Sequence, residues 1–276
     1  MISGKTRLLA LIGQPVSHSL SPAMHNAAFI EDGLDFVYVC LDVDPDRLPA
    51  AVKGAKALKM RGFNVTMPHK RAMVLLVDEL DEGALISGAV NTVVIEDSVL
   101  RGYNTDGGGM VMACDEAGIE LSGRSVVLLG AGGTAAAIAV AFVEAGAGEL
   151  HIANRNVEHA AHLRDKLRRT GMQKIGVHPL DALEAVPHAE VVVNTTPLGM
   201  KEGDPLPVPS TYVREGRAFC DVVYRPGTET PLVRLARERG VPVVAGGRML
   251  LYQGVLAQKL WTGLEPNVKA MDRAIS

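Results

Sequence analysis

The run Val126-Val127-Leu128-Leu129-Gly130-Ala131-Gly132-Gly133-Thr134-Ala135 constrains this chain more than any other segment. Four consecutive apolar residues bounded by a glycine turn read as a short strand buried on both faces, the kind found in parallel sheets. The turn has the spacing G-x-G-x-x-A and opens directly into a helix of small residues. Gly130 permits the tight turn, Gly132 lets backbone approach a pyrophosphate, and Ala135 lets the helix pack on the strand. The first N–H groups of that helix and its positive dipole end then face the phosphates. A glycine turn that binds nothing is the bland alternative, and the strand–turn–helix context weighs against it. The end of the next strand decides the nucleotide. NAD-binding versions carry Asp or Glu there for the ribose hydroxyl, whereas this chain has Asn154-Arg155-Asn156. A guanidinium pairs bidentately with a 2′-phosphate that an acid would repel, so the residues favour NADP, with NAD as the weaker alternative. Arg155 as a solvated surface charge is the competing reading.

Residues 126–143 carry no charge and nearly reach the length of a membrane span, but Gly130, Gly132 and Gly133 cut them into strand and helix. The net charge of -3 excludes a basic field for nucleic acid or anionic lipid, and 4% aromatic residues exclude a base-stacking platform. Cys40, Cys114 and Cys220 stand far apart and read as small buried hydrophobes in a reducing compartment. The N-terminal residues lack the layout of a secretory signal, so a soluble cytoplasmic protein is expected.

At 276 residues two domains are the default. Strands are expected at 8–12, 36–43 and 62–65, with helices between them. One helix is expected to be capped by Ser21 with Pro22 as its first residue, and another to run from Pro68 toward Val77. Residues 89–95 and 99–102 read as paired strands around Glu96-Asp97-Ser98. The pattern restarts near Tyr103, with strands at 126–129, 150–153, 175–178, 191–194 and 218–223. A long apolar helix is expected at 249–261. This alternation implies an α/β fold of two domains, each built on a mostly parallel sheet, the second of them a Rossmann-type dinucleotide-binding domain.

Three polar clusters remain. Ser17-His18-Ser19-Leu20-Ser21-Pro22 gathers hydroxyls before a helix, and Asn64-Val65-Thr66-Met67-Pro68-His69-Lys70 follows a strand. Asn91-Thr92 and Asn104-Thr105-Asp106-Gly107 lie in loops. Taken singly they read as capping, a solvated lysine and turn chemistry. Taken in order with G-A-G-G and N-R, they resemble the shikimate dehydrogenase family. The likeness runs on through Asp221-Val222-Val223-Tyr224 and 246–253.

The resemblance implies roles residue by residue. Ser19 and Ser21 would bind the substrate carboxylate, while Thr66, Asn91, Tyr224 and Gln253 would hold ring hydroxyls and carboxylate. Lys70 and Asp106 would be the catalytic pair beside the reacting C3 oxygen in the reversible reduction of 3-dehydroshikimate to shikimate. Gly130, Ala131, Gly132, Gly133, Thr134 and Ala135 would take the pyrophosphate of NADP. Asn154 and Arg155 would take its adenosine phosphate, and Val222 and Gly246 would lie near the nicotinamide. A discontinuous substrate domain, 1–105 with 247–276, would flank an NADP-binding domain at 106–246, in a monomer or homodimer. Two positions depart from the family. Asn156 and His159 stand where a hydroxyl and a cation are usual beside the 2′-phosphate, which weakens the preference for NADP. His159 and His162 lie one helical turn apart without further spaced ligands, so no metal is expected. The rival readings are a quinate/shikimate dehydrogenase using NAD, another two-domain NADP enzyme of folate or glutamyl-tRNA type, and a non-catalytic cofactor-binding regulator. A Ser/His hydrolase has no G-x-S-x-G elbow to support it.

Overall fold

The computed structural model describes residues 2–185, 189–225 and 227–276. The chain forms two compact units, Met1–Thr105 with Gln253–Ser276, and Asp106–Tyr252.

The first unit contains β1 (Arg7–Gly13), α1 (Ser21–Glu31), β2 (Phe36–Asp42), α2 (Leu48–Ala57), β3 (Gly62–Val65) and α3 (Lys70–Met73). It continues through β4 (Glu79–Leu80), α4 (Glu82–Ser87), β5 (Thr92–Glu96) and β6 (Val99–Tyr103). The sheet order is β2-β1-β3-β5-β6-β4. Helical crossovers make β1, β2 and β3 parallel, whereas β5 runs antiparallel to both its neighbours. The β5–β6 turn has Asp97 and Ser98 at φ 49° and 63°, the left-handed pair whose twist suits a two-residue hairpin. Side-chain alternation buries both faces. Ala10, Ile12 and Phe63 pack with Leu48 and Val52 of α2, while Leu9, Leu11 and Tyr38 pack with Phe29 and Trp261. Two buried faces explain why β1 is apolar without alternation. Gly62 has no room for a side chain, because a Cβ there would collide with the Val93 carbonyl and the Trp261 indole.

The second unit contains α5 (Asp106–Glu116), β7 (Ser125–Leu129), α6 (Gly133–Glu144), β8 (Glu149–Asn154), α7 (Val157–Leu167) and β9 (Ile175–Pro179). β10 (Val191–Asn194), β11 (Ala218–Asp221), α8 (Pro231–Glu238) and β12 (Val243–Val244) complete its sheet. That sheet is parallel throughout, in the order β12-β11-β10-β7-β8-β9. The helix α9 (Gly246–Thr262) begins in this unit and ends in the first, which α10 (Val268–Arg273) closes against α1. The uncharged 126–143 stretch is divided between β7 and α6. Among the described residues no helix is long and apolar enough to cross a membrane.

The two units meet in the sequence at 252/253, inside α9, which is continuous from Gly246. Two expectations are corrected. Ser21 does not cap α1: it is the first helical residue, and the cap position, Leu20, makes no side-chain bond. The helix expected from Pro68 toward Val77 is the single turn α3. The Asp78 N–H is bonded to the Leu100 carbonyl, and the chain enters the short strand β4, for which the sequence carries no signal.

Candidate active site

In the first unit a buried polar network holds Asn91 and runs back to Tyr38 beside Ser21. Ser21 is 5% exposed with its side chain beside Tyr38 of β2, and Ser19 Oγ accepts the Ser21 N–H at 3.2 Å. Tyr38 is fixed from three sides. Asn26 of α1 bonds both its N–H and its carbonyl, at 2.8 and 2.9 Å, and the His25 ring stacks on it at 4.5 Å. Burial holds the Tyr38 hydroxyl neutral by raising its pKa well above the ordinary value. Burial also pushes His25 down to about 4, against the opposing effect of its bond to Gln258.

From Tyr38 the chain of bonds is continuous. Its hydroxyl donates to Asn64 Oδ1 at 2.7 Å, and Asn64 Nδ2 donates to Thr92 Oγ1 at 2.9 Å and to the Asn91 carbonyl at 3.1 Å. Thr92 donates to Asn91 Oδ1 at 2.9 Å. Asn91 Nδ2 then donates to Thr105 Oγ1 at 3.0 Å, and the Thr105 N–H returns to Asn91 Oδ1 at 2.8 Å. Tyr38 and Asn91, fifty-three positions apart, are thereby held in one hydrogen-bonded assembly.

Thr66 and Lys70 follow β3, between β1 and β5 in the sheet. The Thr66 N–H bonds the Ile12 carbonyl, and the Thr66 methyl group lies where a Cβ on Gly13 would sit. Lys70 opens α3, and its carbonyl accepts the Val90 N–H at 2.9 Å, which ties it to the A-V-N-T segment. Both side chains are half-buried, as is Gln253 on α9.

In the second unit, Gly130 takes φ 112°, a backbone that side-chain-bearing residues avoid, and a Cβ there would stand 2.5 Å from Thr195 Oγ1. Thr195 is itself held by the Leu129 carbonyl at 2.6 Å. A Cβ on Gly132 would meet nothing within 4 Å, so the turn lies open at that point. Gly132 is also the cap position of the twelve-residue helix α6, which has no side-chain cap. An uncapped N-terminus beside open space fits a pyrophosphate. Ala131, Gly133, Thr134 and Ala135 complete the turn, and the Thr134 hydroxyl lies 3.3 Å from Asp106 Oδ2. Asp106 is 4% exposed at the start of α5.

At the end of β8, Asn154 Nδ2 donates to the Asn156 carbonyl at 2.8 Å. Asn156 Oδ1 caps α7, accepting the N–H groups of Glu158 and His159. Arg155 is exposed and makes no ion pair among the described residues, and His159 is exposed too. The surface cation needed for a 2′-phosphate is therefore available, while Asn156 Oδ1 is committed to backbone N–H groups of α7.

A further clamp was not legible from motif spacing. Asp221, fully buried, accepts from Asn194 Nδ2 at 2.9 Å, from the Val223 N–H at 3.0 Å and from the Thr230 hydroxyl at 2.6 Å. Burial raises its pKa, and those three donors oppose the rise. Asn194 Oδ1 accepts from Thr196. One carboxylate thus joins the loops after β10 and β11 and sets the course of Val222 and Tyr224. Gly246 packs so tightly on Val223 that a Cβ would strike the Val223 carbonyl. The signal available in sequence was a polar residue ending an apolar strand, Asn194 in one case and Asp221 in the other. Asn64 inside the fully buried β3 and Thr92 beginning β5 give the same signal. No group of three or more His, Cys, Asp or Glu among the described residues could hold a metal ion.

Family models match the chain in three consecutive stretches. A shikimate dehydrogenase substrate binding domain matches residues 11–93, a shikimate/quinate 5-dehydrogenase domain 112–198, and a shikimate 5′-dehydrogenase C-terminal domain 246–275. The NADP(+) shikimate dehydrogenase of Rubrobacter xylanophilus is 57% identical, over 100% of this chain and 97% of its own. A shikimate dehydrogenase crystallised with NADP+ is 40% identical with a TM-score of 0.92, covering 100% of this chain and 96% of that one. The Listeria monocytogenes shikimate 5-dehydrogenase, crystallised with shikimate and NAD, is 36% identical, also at a TM-score of 0.92, over 100% and 98%.

Proposed function

This chain belongs to the shikimate dehydrogenase family, and we infer from that membership that it catalyses the reversible NADPH-dependent reduction of 3-dehydroshikimate to shikimate. It is an NADP-dependent oxidoreductase acting on a CH–OH group. The observation that carries this reading is 57% identity along the whole chain to an NADP-dependent relative, joined to an open, uncapped glycine turn followed by an exposed arginine that makes no ion pair among the described residues.

NADPH held at that turn supplies the hydride. Gly130 to Ala135 seat its pyrophosphate in this proposal, Asn154 and Arg155 its adenosine phosphate, and Val222 and Gly246 border the nicotinamide. Ser19 and Ser21 receive the substrate carboxylate, and Thr66, Asn91, Tyr224 and Gln253 its other oxygens. Lys70 and Asp106 form the catalytic pair. Charge builds on the C3 oxygen as hydride arrives, and the Lys70 ammonium stabilises it and gives up the proton. In the reverse direction Lys70 takes that proton back. The free cysteines support work in the reducing cytoplasm.

The test is oxidation of shikimate and of quinate, each with NADP+ and with NAD+, at one ionic strength. Shikimate with NADP+ should give the highest kcat/KM. Preference for quinate with NAD+ would replace this reading with the quinate dehydrogenase alternative.

A further inference from the structure

We propose that Thr92 is a positioning residue that locks the Asn91 amide so that it meets the substrate ring as a hydrogen-bond donor, an inference that rests on Asn91 being a substrate contact. The argument is one of bond polarity. Asn64 Nδ2 gives a hydrogen to the Asn91 backbone carbonyl at 3.1 Å, and since a carbonyl only accepts, the nitrogen end of Asn64 must face β5. The Thr92 hydroxyl, 2.9 Å from that nitrogen, is then an acceptor toward Asn64 and sends its own hydrogen to Asn91 Oδ1, 2.9 Å away. The Thr105 N–H, which only donates, reaches the same Oδ1 at 2.8 Å. An amide oxygen has two lone pairs. Both are engaged, so Asn91 addresses a ligand through Nδ2, and the ring oxygen it meets must accept.

Thr105 cannot hold this orientation with its side chain. Its hydroxyl lies 3.0 Å from Asn91 Nδ2 and 3.2 Å from Oδ1, and a hydroxyl serves either end of the amide. Removing the Thr92 hydroxyl leaves one backbone N–H to oppose an amide flip. The residue is fully buried, opposite Asn64 and Tyr103 in the sheet, where a β-branched side chain has little rotamer freedom. Threonine there supplies a hydroxyl aimed in one direction.

The experiment compares Thr92→Val, which keeps the shape, with Thr92→Ser, which keeps the hydroxyl. KM is measured for 3-dehydroshikimate and separately for NADPH, whose proposed contacts lie in the other unit. Thr92→Val should raise KM for 3-dehydroshikimate roughly five- to tenfold, the worth of one net hydrogen bond, and leave KM for NADPH within about twofold. Thr92→Ser should stay close to wild type in both. If Thr92→Val does not fold, Thr92→Ala, which introduces no new bulk, is judged by the same figures. An unchanged KM for 3-dehydroshikimate overturns the proposal, as does an equal rise in both constants or a Thr92→Ser variant as impaired as Thr92→Val. A wild type that does not reduce 3-dehydroshikimate at all sinks the functional reading and this assignment together, whereas an active wild type beside an indifferent Thr92→Val sinks this assignment alone.

Discussion

Replacing Gly130 by alanine should damage the second unit in two separable ways. The backbone at φ 112° excludes a Cβ on steric grounds, at a cost of about 1–2 kcal/mol for an L-residue. The added methyl also stands 2.5 Å from Thr195 Oγ1, an atom that cannot retreat freely because it donates to the Leu129 carbonyl. Overpacking of this kind costs about 1–3 kcal/mol. Gly130→Ala should therefore lose about 2–5 kcal/mol in total, the sum of those two ranges. Thr195→Ala alone gives up one hydrogen bond, about 1 kcal/mol. It also removes the obstacle, so in the double variant the overpacking disappears while the backbone strain stays. The two substitutions should consequently be non-additive, with a favourable coupling of about 1–3 kcal/mol. Urea unfolding followed by far-ultraviolet circular dichroism measures all four corners of the cycle. Strict additivity, or a Gly130→Ala protein as stable as wild type, would refute the claim that Thr195 crowds a side chain there.

Three other outcomes are expected. Lys70→Ala should cut kcat by roughly two to four orders of magnitude with a much smaller change in KM, since its proton moves only in the transition state; near-normal turnover removes it from the mechanism. His25 stays neutral in the fold down to about pH 4 but titrates near 6.5 when unfolded. The unfolded chain therefore binds the proton first, and stability present above pH 6.5 is lost as pH falls toward 4, by about 3 kcal/mol over the interval. His25→Phe, which keeps a ring against Tyr38, should flatten that loss, and parallel stability–pH curves for the two proteins would count against it. Arg155→Asp should lower kcat/KM for NADP strongly through lost pairing and new repulsion while sparing NAD. A ratio of the two unmoved by the change would return Arg155 to the solvated surface.

What could be read in sequence was whatever is encoded locally. The turn at Gly130 and the hairpin at Asp97-Ser98 each follow from a handful of adjacent residues, and both appear where expected. Position in a network is not encoded that way. Ser21 looks like a helix cap because serine before proline usually is one; its place beside Tyr38 requires knowing that β2 lies beside α1. Asn64 and Thr92 stand out only as polar residues in buried strands, and nothing in their spacing says that they are partners.

The central claim is hydride transfer from NADPH to C3 of 3-dehydroshikimate. Its most direct test uses NADPH deuterated at nicotinamide C4 on the transferred face, with purified protein and 3-dehydroshikimate, and reads the product by NMR while absorbance at the NADPH band is followed. The account predicts loss of NADPH absorbance only when 3-dehydroshikimate is present, and one deuterium at C3 of the shikimate formed. NADPH that persists beside 3-dehydroshikimate, or a product without deuterium at C3, would contradict it.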